Sequence, residues 1–551
     1  MLTRLLLTTL LLFSAAFTQA EAQAPTAALA HARTLTEAQR LSDLNQFFAM
    51  VEAGYGPIQY KESQLGVTIA GLRAKYEPLV RAPQSNGEFY YLMKKLVAEF
   101  KDGHFNMTVP TDHLAQVGIL TDLVEGRVLI ESVDRAELPE STFPYVRGDE
   151  IVSVDGVPTQ VVLDELSAYV ASGTDVSIRR SAAMAVFYRA GRNVPVPKGS
   201  VTIEIRRGTS SIIETVTLKW KESGTPLDEA LQAPSSLRRL GSIPTSFDSF
   251  STREMWLNWI GNERFERSFR CSGSTRIDIP KDATVLMKEP FVAYYHPTHR
   301  GNVGYLRIPH YSPLGPDGKT DEKELRLKQY QWAVRQLEAN TIGLIIDQDH
   351  NCGGSVYWLE SMLGLFMNKP YQPMQFQLLA NKQEYLSFKK EIDEEYKPNT
   401  DEHDLARKAL EVLKAAWLAG DFMTKKMSLS GEDLLYPSEY AYTKPIVMLI
   451  DEMSGSGGDA FPAMMQGYGR ATLVGTHTAG LGGHVTEQPA LNYSQLQIRM
   501  TKSLFFRPDG VPVENNGAIP DIEYRITRDD FVYGYKNYQK FYLKTLLERI
   551  P

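Results

Sequence analysis

Cysteine is almost absent. The 551 residues contain two, Cys271 and Cys352, too few for a disulfide scaffold and too far apart in sequence for a structural zinc site. In an oxidising compartment the two can pair, but sequence does not show that their Cα atoms are close enough. There is no long basic run, and the formal net charge is −7, so nucleic acid is not an expected partner. Beyond the first residues no apolar run is long enough to span a bilayer, and no internal repeat or low-complexity tract is present. The chemical motifs that are missing also narrow the reading. There is no G-x-x-x-x-G-K-[ST] phosphate loop, no H-E-x-x-H metal pair and no G-x-S-x-G elbow. No cofactor and no metal is expected.

The first residues, MLTRLLLTTLLLFSAAFTQAEA, set a compartment. Arg4 provides a positive start, Leu5 to Phe17 an apolar stretch, and Ala20 and Ala22 an A-x-A-like cleavage site. The apolar stretch falls short of the roughly 20 residues that cross a membrane. Residues 1–22 are therefore expected to be a signal peptide, with the mature chain exported to the periplasm or secreted.

The remaining length is too great for one core and implies several domains. Residues 23–113 show helical spacing of apolar positions, as in LSDLNQFFAMVEAG and FYYLMKKLVAEF, the latter expected to stop near Gly103. Residues 114–222 switch to short strands, and YVRGDEIVSVDGVP places a tight turn at Asp155-Gly156. This stretch resembles a PDZ domain, a module that binds peptides by adding them as a strand to a sheet edge. Residues 223–300 read as an irregular linker or insertion. From Gly301 to the C-terminus, apolar strands such as TIGLIIDQ and PIVMLIDE alternate with helical patterns, which implies a sheet covered on both faces. A charged helical insertion is expected at about 383–419.

The segment PIVMLIDEMSGSGGDAFPAMMQGYG carries the strongest chemical signal. A buried strand runs into Ser454-Gly455-Ser456-Gly457-Gly458, and a helix opens near Asp459. Glycine lets the chain turn sharply, while the helix start offers free N–H groups and the positive end of a dipole. A serine there can attack a carbonyl carbon while the Gly457 N–H faces the developing oxyanion. A second strand–glycine–helix turn, Asn351-Cys352-Gly353-Gly354, can supply another donor to a shared pocket. Five histidines are candidates for the base: His104, His310, His350, His477 and His484. Residue chemistry alone does not choose among them, and a metal set of His477, His484 and Asp349 lacks diagnostic spacing.

Five stretches, KDGHF, IIDQDHNCGGSVYW, SGSGGDAFP, VGTHTAGLGG and VENNGAIPDI, occur in the order seen in the C-terminal processing (tail-specific) serine peptidases. The chain resembles that family, and most closely its secreted chlamydial members. The resemblance implies a multidomain α/β protein with an α/β/α crotonase-like catalytic core, a PDZ-like β-domain and an N-terminal helical segment. It implies hydrolysis of peptide bonds in protein or peptide substrates through an acyl-enzyme. Ser456 rather than Ser454 becomes the nucleophile, His104 the general base and Glu514 the third member of the triad. Gly457 and one of Gly353 and Gly354 become the oxyanion donors. It further implies self-cleavage within 223–300 and a homodimer. Many members carry a catalytic lysine in G-x-T-x-G-K-G. Here the run Gly475 to Leu481 ends on leucine, which removes a Ser–Lys dyad at that place and leaves Lys502 a poor substitute. The competing reading is a catalytically silent binding protein on the same scaffold.

Overall fold

The computed structural model describes residues 34–227, 277–315 and 320–551. The expected signal peptide and most of the expected self-cleavage segment lie outside the described residues.

Four helices open the chain: α1 (Glu37–Gly54), α2 (Ile58–Leu65), α3 (Ile69–Arg81) and α4 (Asn86–Ala98). Thr36 and Ser85 start α1 and α4 with capping boxes, their side chains and those of Gln39 and Glu88 satisfying orphan N–H groups reciprocally. The helices share a core of Phe47, Phe48, Phe89, Phe100 and Phe105 with Leu491, Ile498 and Met500 from near the other end of the chain. Strand Asn106–Thr108 pairs antiparallel with Gln497–Thr501, so the segment after α4 is fixed against a distant part of the sequence. The expected stop at Gly103 is corrected. The helix ends at Ala98, and the left-handed residue is Lys101, with φ 46°.

Next comes an antiparallel sheet of strands Ile119–Val124, Arg127–Val133, Glu150–Val154, Ser200–Arg206 and Ile213–Lys219. Helices α5 (Thr159–Ser167) and α6 (Asp175–Met184) accompany it, around a core that includes Val128, Ile151, Leu163 and Ile203. Asp155 and Gly156, at φ 51° and 75°, form the tight turn that joins Glu150–Val154 to Val157–Pro158.

The remaining core is a seven-stranded sheet whose strands lie in chain order: Thr284–Met287, Ala293–Thr298, Gly301–Arg307, Gly343–Asp347, Ile446–Ile450, Thr472–Gly475 and Ile522–Glu523. The first three pair antiparallel, and the rest are parallel. Two of these strands thus precede Gly301.

This arrangement corrects the expected crotonase-like α/β/α core. Right-handed crossovers that always advance in one direction place their helices on the same face. Helices Lys323–Asn340, Val356–Leu363 and Gly457–Gly467 accordingly share one core with Leu306, Leu344, Ile346, Met448 and Ile450. The other face packs Tyr305, Ile345, Val447 and Leu449 against the C-terminal helix Lys536–Leu547 and against Val124 and Leu129 of the preceding β-domain. One side is a helical layer, and the other is part helix and part β-domain. Two further helices, Lys382–Glu395 and Asp401–Ala419, branch from this core. Among the described residues no helix is long and apolar enough to cross a membrane.

Candidate active site

Strands Gly343–Asp347 and Ile446–Ile450 are parallel neighbours, so the turns leaving their C-terminal ends lie side by side. Every residue of both strands is buried, as their Val, Ile and Leu content requires. The Ile446–Ile450 strand leads to Ser456, the residue before helix Gly457–Gly467. Ser456 has φ 60° and ψ −115°, a backbone shape that costs a residue with a side chain about 1–3 kcal/mol. Its N–H donates to Asp459 Oδ2 at 2.7 Å. The same carboxylate accepts from the N–H groups of Gly480 and Leu481, at 2.8 and 2.9 Å, and from the Thr478 hydroxyl. Burial pushes Asp459 up to about 7, with those four donors pulling the other way. Asp459 thus ties the Ser456 turn to the 478–481 loop, a role the sequence reading missed. Its place three residues after Ser456, at the third position of the helix, was the available signal.

Ser454 is a different kind of serine. It is completely buried, and its hydroxyl lies 2.9 Å from Gln348 O and 3.1 Å from Asp451 Oδ1. Ser456 is half-buried.

The neighbouring turn distinguishes its two glycines. The Gly353 N–H donates to Asn351 Oδ1 at 2.8 Å, so it is already engaged. Gly354 N lies 3.2 Å from the point a Cβ on Gly457 would occupy, and the Gly457 N–H, the first of its helix, has no intrahelical acceptor. Gly353, at φ 78°, must be glycine: a Cβ there would sit 2.6 Å from Ser456 Cβ and 2.7 Å from Gly457 N. Cys352 beside it is disulfide-bonded, and the chain's other cysteine lies outside the described residues.

Leu481 connects the Ser456 turn to the KDGHF turn. Its methyl groups fill the space that a Cβ would take on both Gly103 and Gly455, at about 2.9 Å from each position. His104, next to Gly103, is 6% exposed, and burial pushes its imidazole down to about 4 against the opposing charge of Asp102. Asp102 shapes this turn. It accepts the N–H groups of His104 and Phe105 and the hydroxyls of Tyr55 and Thr501.

Glu514 is fully buried nearby. Its Oε2 accepts the Gly482 N–H at 2.9 Å, and its Oε1 binds the Lys61 ammonium. Burial pushes the Glu514 carboxyl up to about 8, the Asp102 charge adds to this, and Lys61 opposes it. The structure thus brings Ser456, Gly457, Gly353, Gly354, His104 and Glu514 into one set of adjoining loops. Among the described residues no hydrogen bond joins Ser456 to His104, or His104 to Glu514.

The other histidines are placed elsewhere. His350 pairs with Asp451 at 3.0 Å, and Asp451 also binds Arg180 of α6, at 3.1 Å, linking the β-domain to both turns. His477 Nδ1 lies 2.7 Å from Thr478 O, and His484 lies beside Ser503 and Glu384. Burial drives His310 down to about 4 near Arg326 and Arg307. Lys502 donates to Gly54 O at 2.8 Å. Among the described residues no group of three His, Cys, Asp or Glu side chains is placed to hold a metal ion.

Residues 302–524 match peptidase family S41, and residues 114–230 match a PDZ domain. A protein of Chlamydia pneumoniae is 26% identical over 554 residues, covering 90% of this chain and 88% of that protein. An uncharacterised protein of Chlamydia muridarum is 26% identical over 578 residues, covering 92% of each. The solved structure of mature CPAF complexed with lactacystin has a TM-score of 0.75 at 23% identity, over 93% of this chain and 99% of that one. What that last likeness establishes is a fold. It is the S41 peptidase and PDZ arrangement that replaces the crotonase-like expectation.

Proposed function

We propose that this chain, which belongs to peptidase family S41 and acts on protein substrates as an exported serine endopeptidase, cleaves them through Ser456, His104 and Glu514. The observation that carries the reading is the strained Ser456 at a helix start, flanked by the Gly457 and Gly354 N–H groups. Ser456 Oγ attacks the scissile carbonyl carbon, and His104 takes the hydroxyl proton. The carbonyl oxygen becomes an oxyanion facing two backbone donors and the positive end of the helix dipole. Of the two glycines in the adjacent turn, Gly354 is the donor proposed, because the Gly353 N–H is engaged by Asn351. As the tetrahedral intermediate collapses, His104 returns its proton to the leaving amine, leaving Ser456 acylated. Water then attacks the ester, with His104 again taking a proton, and releases the acid and free Ser456. A buried neutral imidazole is the correct starting form for this base. The Ser456–His104 contact forms when substrate enters, as catalytic hydrogen bonds that are long in free enzymes tighten in the substrate complex.

The same proposal includes a homodimer, supported by the family resemblance; sedimentation velocity on the purified protein tests it. For the chemistry, a fluorophosphonate probe is expected to label wild type once, on Ser456, and to leave Ser456→Ala unlabelled. Undiminished labelling of Ser456→Ala would overturn the assignment.

A further inference from the structure

Lys61 is the feature that this mechanism leaves unexplained. It sits on the short helix α2, far from the catalytic sheet in sequence, yet its side chain is completely buried. A buried ammonium is costly unless every proton finds an acceptor. Here all three do: Glu514 Oε1, Asn515 Oδ1 at 2.6 Å and Lys101 O at 3.0 Å. These acceptors belong to two separate segments. Glu514 and Asn515 form the acid's turn, and Lys101 begins the turn that carries Asp102 and His104. Asn515 reinforces the joint, since its Nδ2 donates to Lys101 O and to Gly173 O, both at 2.8 Å. Tyr60, the residue before Lys61, donates from its hydroxyl to Glu514 O at 2.8 Å.

We propose that Lys61 is a positioning residue of the catalytic machinery, favouring the ionised form of Glu514 and clamping its turn to the turn that bears His104. This rests on the assignment of His104 and Glu514 made above. Among the described residues the charged and titratable groups facing Glu514 are Lys61, Tyr60, Tyr55 and Asp102, and Lys61 is the one cation of these. Two carboxylates, Asp102 and Glu514, share this buried region, and like charges at close quarters drive one of them to keep its proton. A protonated Glu514 cannot stabilise an imidazolium. Leu481, packed against Gly103 and Gly455, brings no charge to this region, and its cation comes from the N-terminal helices. All three Lys61 N–H groups are engaged by protein acceptors, so none is free to hydrogen-bond substrate.

The test compares Lys61→Met, Lys61→Arg, Glu514→Gln and the double variant Lys61→Met/Glu514→Gln on a peptide substrate. Lys61→Met is expected to lower kcat at least about tenfold at neutral pH with KM within about threefold, the signature of a loss specific to the transition state. The rise of kcat/KM that reports Glu514 should move upward by about one pH unit or more, as loss of a neighbouring opposite charge requires, while Lys61→Arg keeps its position. In the Glu514→Gln background the loss from Lys61→Met should be much smaller than in wild type, because Lys61 acts chiefly through Glu514. An unmoved rise in Lys61→Met, or a double variant slowed by the product of both single effects, would overturn the proposal. Should Lys61→Met fail to fold, the double variant removes both buried charges together, and its comparison with Glu514→Gln decides the matter. Wild-type activity in Glu514→Gln would instead sink the assignment of Glu514.

Discussion

Ser456 and His104 each follow a glycine packed against Leu481, and they are held there by different means. On the Ser456 side the constraints are a strained φ, glycines that admit close approach, and one carboxylate, Asp459, bridging 22 positions to Leu481. On the His104 side the constraints are buried charges from opposite ends of the chain, with Lys61 and Glu514 453 positions apart. The glycines of the first side carry no titrating group, but their Asp459 bridge does, its carboxyl pushed up to about 7 by burial. On the second side His104 is pushed down to about 4 and Glu514 up to about 8, so pH acts there on two buried groups at once.

The sharpest way to break the Ser456 side is Ser456→Ala, expected to lower kcat by at least about 10³ while circular dichroism stays unchanged. Ser454→Ala should keep activity within about tenfold and lose about 1 kcal/mol of stability, because its hydroxyl is a buried structural partner. If Ser454→Ala were the inactive variant, the contrast between the two serines would be reversed.

On the His104 side, His104→Ala should lower kcat by about 10²–10⁴. Lys502→Ala should leave kcat near wild type, since its ammonium is directed at Gly54. Equal losses from both would point to a lysine base and remove the triad.

A third test returns to the backbone. Gly353→Ala places a methyl group on Ser456 and is expected to cost activity about 10²-fold, the scale of a misplaced nucleophile. Gly199 has a similar φ of 79° but open space around it, so Gly199→Ala should cost about 1 kcal/mol of stability and no activity. Equal activity losses in the two variants would show that strain, not crowding at Ser456, is responsible.

The smallest effect is the pH dependence. The base must be neutral and the acid ionised. With His104 near 4 and Glu514 near 8, kcat/KM should rise through about pH 8 as Glu514 loses its proton, and collapse near pH 4 as His104 gains one. Glu514→Gln should lower the alkaline plateau and abolish the rise near pH 8, leaving only the acidic limb. A rise that persists in Glu514→Gln would assign it to another group.

The primary structure by itself determined the parts of this protein whose physics is local. Unbroken Val, Ile and Leu runs give buried strands, Asp155-Gly156 gives its tight turn, and the glycines around Ser456 give a sharp strand-to-helix turn whose N–H groups need an anion. His104 and Glu514 were reachable only through a family resemblance, because no spacing rule connects residues so far apart. Tertiary structure alone decided the rest. The sequential strand order puts the crossover helices on one face and leaves the other to the C-terminal helix and the β-domain, which no single segment encodes. The engagement of the Gly353 N–H by Asn351 distinguishes two glycines that read identically in sequence. Lys61, an ordinary lysine in a short amphipathic helix, became a buried cation only when folding brought α2 against the Glu514 turn. Desolvation and charge pairing belong to the assembled environment, not to the residue.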